Sequence, residues 1–155
     1  MTAKHWRIAL TVNGEAIARE VPVRLNLVDF LRHDLGFTGS HVGCEQGACG
    51  ACTIVMDGET VRGCLVLAVQ ADGCAIETIE GGVDDDLRQM FHTLNALQCG
   101  FCTPGMLLSA AELLRANPDP SRDDIRDYLS GNFCRCTGYQ AIVDAVETVA
   151  KARRS

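Results

Sequence analysis

The sequence predicts an α+β chain of two lobes, a small mixed sheet followed by helices, divided near residue 81. Three observations carry that reading. Up to Ile79 the apolar residues alternate in short runs broken by Asn-Gly and Asp-Gly pairs, the pattern of short strands and tight hairpins. From Leu87 onward they recur every three or four residues between capping and proline signals, the pattern of helices. Between the two stands Glu80-Gly81-Gly82-Val83, a linker signal. The expected domains are residues 1–81 and 82–155.

In the first lobe, Ile8, Leu10 and Val12 alternate with polar or small residues and predict a half-buried strand. Asn13-Gly14 predicts a hairpin turn into a second strand over Ala16–Val23. Asn26 caps a short helix that buries Leu27, Phe30, Leu31 and Leu35 and stops at Gly36. Residues 38–52 are rich in Gly and Cys without periodicity and read as a loop. Thr53–Met56, the turn Asp57-Gly58 and Thr60–Gly63 form a second hairpin, and Ala75–Ile79 is the last strand.

In the second lobe, Leu87, Met90, Phe91 and Leu94 share a helical face. Thr103-Pro104 is a cap followed by proline at the first helical position. It opens a helix with Met106, Leu107, Ala110, Leu113 and Leu114 that ends near Asn117-Pro118. Ser121 and Asp124 form a start resembling a capping box for a helix through Ile125 and Leu129 to Gly131. Ile142, Val146, Val149 and Ala150 are the apolar stripe of a last helix. The two lobes differ, so the chain is not a tandem repeat.

With 155 residues, 47% of them apolar, the chain can bury a core. No run reaches the length of a membrane span. The stretch Met1-Thr2-Ala3-Lys4-His5-Trp6-Arg7 has neither the apolar segment of a signal peptide nor a twin-arginine pair, so the cytoplasm is expected, with export only alongside a partner that carries a signal. The net charge of −6 and scattered basic residues argue against nucleic acid. Lys151, Arg153 and Arg154 at the tail read as a solvated helix end, and Asp84–Asp86 as a solvated helix start.

Nine cysteines, an odd number, argue against complete disulfide pairing and for metal ligation. The first set is Cys44, Cys49, Cys52 and Cys64. Its Cys-x4-Cys-x2-Cys step is the plant-ferredoxin spacing for a [2Fe–2S] cluster. Zinc loops use paired Cys-x2-Cys knuckles, which this step does not match. Gly43, Gly47 and Gly50 are expected to supply the positive φ angles that turn backbone N–H groups toward sulfur.

The second set is Cys99, Cys102, Cys134 and Cys136, each pair beside a predicted helix start whose dipole favours negative charge. Spacing alone leaves zinc and a cluster open here. A redox dithiol is disfavoured, because no βαβ pattern surrounds the pairs.

Beyond the spacing, the stretches GCEQGACGACT (43–53), ALQCGFCTPGM (96–106) and GNFCRCTGY (131–139), with Ile79-Glu80-Gly81, resemble the small iron–sulfur subunit of the xanthine oxidase family of molybdenum hydroxylases, in its bacterial three-subunit form. The resemblance implies a β-grasp plant-type ferredoxin domain followed by an all-α four-helix bundle. It implies that Cys99, Cys102, Cys134 and Cys136 hold the [2Fe–2S] cluster nearer the molybdenum cofactor, and that Cys44, Cys49, Cys52 and Cys64 hold the one nearer FAD. It implies that Gln98 contacts the pterin and that Cys136 lies against it. The partners it implies are a large molybdenum-cofactor subunit, with molybdopterin in the cytosine dinucleotide form, and a medium FAD subunit, joined in a heterotrimer or a dimer of heterotrimers through large interfaces. The implied role is to pass single electrons, with no catalytic residue on this chain. The sequence departs from the family at Gly82, where leucine is usual, and at Asp84–Leu87, where a proline-containing helix start is usual.

Two other readings compete: a free-standing two-cluster ferredoxin and a zinc-stapled adaptor. Cys74 belongs to neither set and reads as a small apolar residue at a strand edge. His5, His33, His41 and His92 show no ligand spacing and read as surface or helix-face residues. Arg135 either tunes a cluster or holds a cofactor phosphate, or else pairs with an acid.

Overall fold

The computed structural model describes residues 4–154; residues 1–3 of the stretch read for targeting signals lie outside them. β1 (His5–Val12) and β2 (Glu15–Pro22) form an antiparallel hairpin, with Ala9 opposite Ala18. β3 (Thr53–Met56) and β4 (Glu59–Arg62) form a second. β5 (Ala75–Glu77) lies between them, parallel to β1 and antiparallel to β3, so the sheet order is β2-β1-β5-β3-β4. Both hairpins turn on two residues of positive φ, Asn13-Gly14 and Asp57-Gly58, as their sequences predict. The turn takes both members of each pair, so β2 and β4 begin one residue earlier than expected. β5 ends early because Thr78 is tied to the Asn13 side chain, donating its N–H at 2.8 Å and accepting from Asn13 Nδ2 at 3.0 Å. Ile79–Gly81 then forms a 3₁₀ turn.

Asn26 caps α1 (Leu27–Asp29), accepting the Asp29 N–H at 2.8 Å. The helix widens to a π-helical turn over Phe30–Asp34, in which the Leu35 N–H reaches back to the Phe30 carbonyl. Leu27, Phe30 and Leu31 drop into one core with Ile8, Leu10, Val12, Ile54 and Ile76.

The helices of the second lobe are α2 (Asp85–Thr93), α3 (Thr103–Ala116), α4 (Arg122–Leu129) and α5 (Gln140–Arg153). They bury a second core that includes Leu87, Phe91, Met106, Ile125, Ile142 and Val146. The capping box at α4 is present in both directions between Ser121 and Asp124. Two predicted helix starts move. Cys102, not Thr103, occupies the N-cap of α3. α5 begins only at Gln140, because Gly138 (φ 67°) and Tyr139 (φ 70°) take left-handed steps first.

The charged tail is not a free helix end. Arg153 grips Asp86 through Nε and Nη2 at 2.7 Å and Asp84 at 2.6 Å, and Arg154 pairs with Asp119. The acidic run opening α2 and the basic end of α5 are therefore one ion-pair cluster, which the separation in sequence conceals.

The two lobes meet along β3 and α3. Side chains alternate across a strand, so Ile54 enters the sheet core while buried Thr53 and Val55 face the helices. Glu112 on α3 seals the edge. It accepts the Thr60 N–H at 2.6 Å and the Tyr128 hydroxyl at 2.6 Å, together with the Thr60 hydroxyl. Burial pulls the Glu112 carboxyl upward, but these donors more than offset it and hold it below its ordinary value. A carboxyl lowered in the folded state contributes stability above its unfolded pKa and loses it as pH falls through the folded value. Glu112→Gln is therefore expected to cost roughly 1 kcal/mol near pH 7 and progressively less below pH 4.5, the ordinary glutamate value. Thermal melts of the variant and the parent protein at pH 7 and pH 4 check this.

Candidate metal centres

The loop over residues 38–52 wraps the first cysteine set. The Cys49 N–H points at the Cys44 sulfur at 3.4 Å. N–H groups of Gln46 and then Cys49 stabilise the Cys44 thiolate and hold its pKa down to about 7. Gly47 and Gly50 take the positive φ angles expected of them, but Gly43 does not; the third left-handed residue is Glu45, at φ 55°. Gly43 is small for another reason, since a Cβ there would lie 3.1 Å from the Cys49 sulfur. Cys52 is buried, which pushes its thiol up to about 11, and the neighbouring Cys64 thiol acts on it as well.

The second set forms where α3 and α5 begin. Cys136 and Cys99 bring their sulfurs to 3.6 Å. Cys102 and Cys134 face each other, and burial first, then the Cys134 side chain, push Cys102 up to about 12. At Cys134 burial acts upward too, but the Thr137 hydroxyl, donating to sulfur at 3.1 Å, and nearby N–H groups bring the thiol below its ordinary value. The Cys134 N–H is held by the Tyr139 hydroxyl at 2.8 Å.

All eight sequence-predicted cysteines are thus gathered into the two expected groups, and none is in a disulfide. Within the groups the Cys99 and Cys136 sulfurs meet at 3.6 Å, Cys49 donates its N–H to the Cys44 sulfur, and Cys64 and Cys134 act on the Cys52 and Cys102 thiols. Among the described residues no three His, Cys, Asp or Glu side chains converge on a single-ion position. Thiols bind metal as thiolates, so loading either group displaces protons, most of all from Cys52 and Cys102.

Cys99, Cys136 and Gln98 are exposed, and so are Phe101, Phe133 and Tyr139, each within three residues of one of these cysteines in the chain. Cys74 lies outside both groups, packed against the sheet core. Among the described residues Arg135 makes no ion pair. His41 is a half-buried surface residue: its ring stacks on exposed Phe101 at 4.7 Å, and Nδ1 lies 2.8 Å from the Phe101 carbonyl. The sequence marks neither Asn132 nor Arg62, and marks Thr137 only as part of the helix-start signal Thr137-Gly138 after the second cysteine pair. Asn132 lies inside the cysteine motif and could have been flagged there, whereas nothing in the sequence around Arg62 marks it.

Two family models match the chain. A 2Fe-2S iron-sulfur cluster binding domain covers residues 10–101, and a [2Fe-2S] binding domain covers residues 75–147. The chain is 54% identical to the caffeine dehydrogenase subunit gamma of Pseudomonas sp. (strain CBB1), over 92% of this chain and 90% of that one. It is 53% identical to the nicotine 6-hydroxylase small subunit of Paenarthrobacter nicotinovorans, over 90% and 86%. A chain of quinoline 2-oxidoreductase from Pseudomonas putida 86 superposes with a TM-score of 0.91 at 51% identity, covering 97% of this chain and 96% of that one. Among the described residues, no helix is long and apolar enough to cross a membrane. The two cysteine groups, the two cluster-binding models and relatives of matching length agree, and the chain belongs to the small iron–sulfur subunits of the xanthine oxidase family of molybdenum hydroxylases, as the electron-transfer subunit of an oxidoreductase complex with larger partners.

Proposed function

We propose that Cys44, Cys49, Cys52 and Cys64 hold one [2Fe–2S] cluster and that Cys99, Cys102, Cys134 and Cys136 hold the other. The gathering of four free cysteines in each group, within stretches matched by two [2Fe–2S] binding-domain models, is the observation that carries this. A two-iron cluster takes four cysteine ligands. The surroundings fit as well. N–H groups converge on Cys44, Thr137 donates to Cys134, and the Thr103 hydroxyl, next to Cys102, is buried without a partner. Such donors stabilise the negative charge of a thiolate-bound cluster.

When bound, each cluster takes up and releases one electron at a time. The protein's part is to hold the two sites at a fixed separation, exclude water and present one site to each partner. Exposed Cys99, Cys136 and Gln98, with exposed Phe101, Phe133 and Tyr139 near them in the chain, support a reading in which this edge faces the large molybdenum subunit, with Gln98 and Cys136 against the pterin. The first group has exposed Leu65 and Leu67 beside Cys64, which supports a reading in which it faces the FAD subunit. In this reading residues 1–81 are a β-grasp domain and residues 82–155 a four-helix bundle; the separate cores support the division. The pterin is in its cytosine dinucleotide form, the assembly is a heterotrimer or a dimer of heterotrimers, and its compartment is the cytoplasm, where thiols stay reduced. The substrate class is an electron-poor N-heterocycle hydroxylated by the large subunit, as the names of relatives acting on caffeine, nicotine and quinoline suggest.

Metal analysis of the purified complex tests the assignment. Roughly four irons and four acid-labile sulfides per copy of this chain are expected. Zinc without visible absorption would overturn it. Isolation as a monomer with full clusters and no bound partner would favour the free-standing ferredoxin.

A further inference from the structure

Asn132 lies between the two cysteine groups and is 2% exposed. A buried amide is costly unless its polar atoms are satisfied, and this one is satisfied from both lobes. Its Nδ2 donates to the Gly50 carbonyl at 3.3 Å and to Thr53 Oγ1 at 3.4 Å. Its Oδ1 accepts from the Ser109 hydroxyl at 3.1 Å and from Arg62 Nη2 at 3.5 Å. Arg62 also donates to the Gly131 carbonyl at 2.8 Å. The backbones meet directly here. A Cβ on Gly105 would collide with the Gly50 carbonyl, and one on Gly50 with Gly131 and Asn132.

This closeness has a chemical consequence. The Phe133 N–H donates to the Cys49 carbonyl at 2.8 Å. Cys49 belongs to the first group, and Phe133 is bonded to Cys134 of the second. The Cys49 and Cys134 sulfurs are therefore linked by covalent bonds and one hydrogen bond.

We propose that Asn132 is a positioning residue for electron exchange between the two cysteine groups, locking residues 49–53 against residues 131–134 so that the Phe133–Cys49 hydrogen bond is held. This rests on the ligand assignment above. The exchange it serves leaves one site oxidised by one electron and the other reduced by one, with no bond made or broken. Asn132 touches neither sulfur, and its partners are backbone carbonyls and side chains on both sides of the seam.

The test uses the assembled, cluster-loaded complex carrying Asn132→Ala, with Ser109→Ala as a milder variant that removes only one of the two donors to Oδ1. Low-temperature EPR of the fully reduced protein reads the magnetic splitting between the clusters, which falls with the cube of their separation. Freeze-quench EPR reads how fast the two signals equilibrate. Asn132→Ala is expected to keep both signals and the parent iron content, to weaken the splitting and to slow equilibration. Ser109→Ala should shift both in the same direction by less. Full iron with unchanged splitting and equilibration in both variants would overturn the proposal. If Asn132→Ala loses iron, the decision passes to Ser109→Ala, where an unchanged splitting overturns it. Zinc in either group of the parent protein would defeat the ligand assignment and this proposal with it, and metal content identifies that failure separately from the splitting.

Discussion

Cys102→Ser is expected to remove one of the two EPR signals of the reduced protein and about half of its iron, leaving the other signal in place. Cys102 sits at the N-cap of α3 and faces Cys134, so its sulfur is fixed by the helix start and cannot be replaced by a neighbour. Serine presents a shorter, harder oxygen, which binds iron–sulfur cores less well than thiolate. The first group has its own loop and its own backbone donors, so its signal should survive. Turnover of the complex should fall at least ~100-fold, beyond the loss typical of residues that only support a metal ligand. Cys74→Ser is the control: Cys74 packs against the sheet core and belongs to neither group, so both signals should remain. Persistence of both signals in Cys102→Ser would show the second group to be misassigned.

Gly105→Ala should destabilise the protein although it places a better helix former in the first turn of α3. In an ordinary helix interior this change stabilises by roughly 0.5–1 kcal/mol. Here the new methyl would collide with the Gly50 carbonyl and lie 3.2 Å from Asn132 Nδ2. Neither neighbour yields easily, because Gly50 is held between Cys49 and Cys52 and Asn132 is bonded on four sides. Overpacking against fixed backbone costs roughly 1–3 kcal/mol and can exceed the helix gain. A net loss of about 2 kcal/mol, or roughly 4–8 °C in melting temperature, is expected, with earlier bleaching of the visible absorption on heating. A melting temperature equal to or above that of the parent protein would show that the seam is looser than the structure describes.

Most of the local structure was legible in the chain because it rests on local physics. Asn13-Gly14 and Asp57-Gly58 adopt left-handed turns by their own preferences, Asn26 and Ser121 bond to N–H groups three residues on, and the apolar stripes of the helices fall where their spacing puts them. The small errors are local too. Thr103 carries a capping side chain, yet Cys102 occupies the cap position. Gly43 was assigned a turn conformation when its smallness serves the Cys49 sulfur instead.

The two groups of four cysteines were legible from spacing and motif, since three of the first set recur at fixed intervals in one loop and the second set falls in pairs beside helix starts. What lies between the groups was not. The ion pairs of Arg153 with Asp84 and Asp86, the hold of Glu112 on Thr60 and Tyr128, the His41–Phe101 stack and the Asn132 seam all join residues far apart in the chain. By itself the sequence determined which cysteines fall into each group and which segments become strands and helices. Only the tertiary structure decided how the two groups sit against each other. Contacts between distant residues depend on where whole elements pack, and no periodicity or spacing within a segment encodes that.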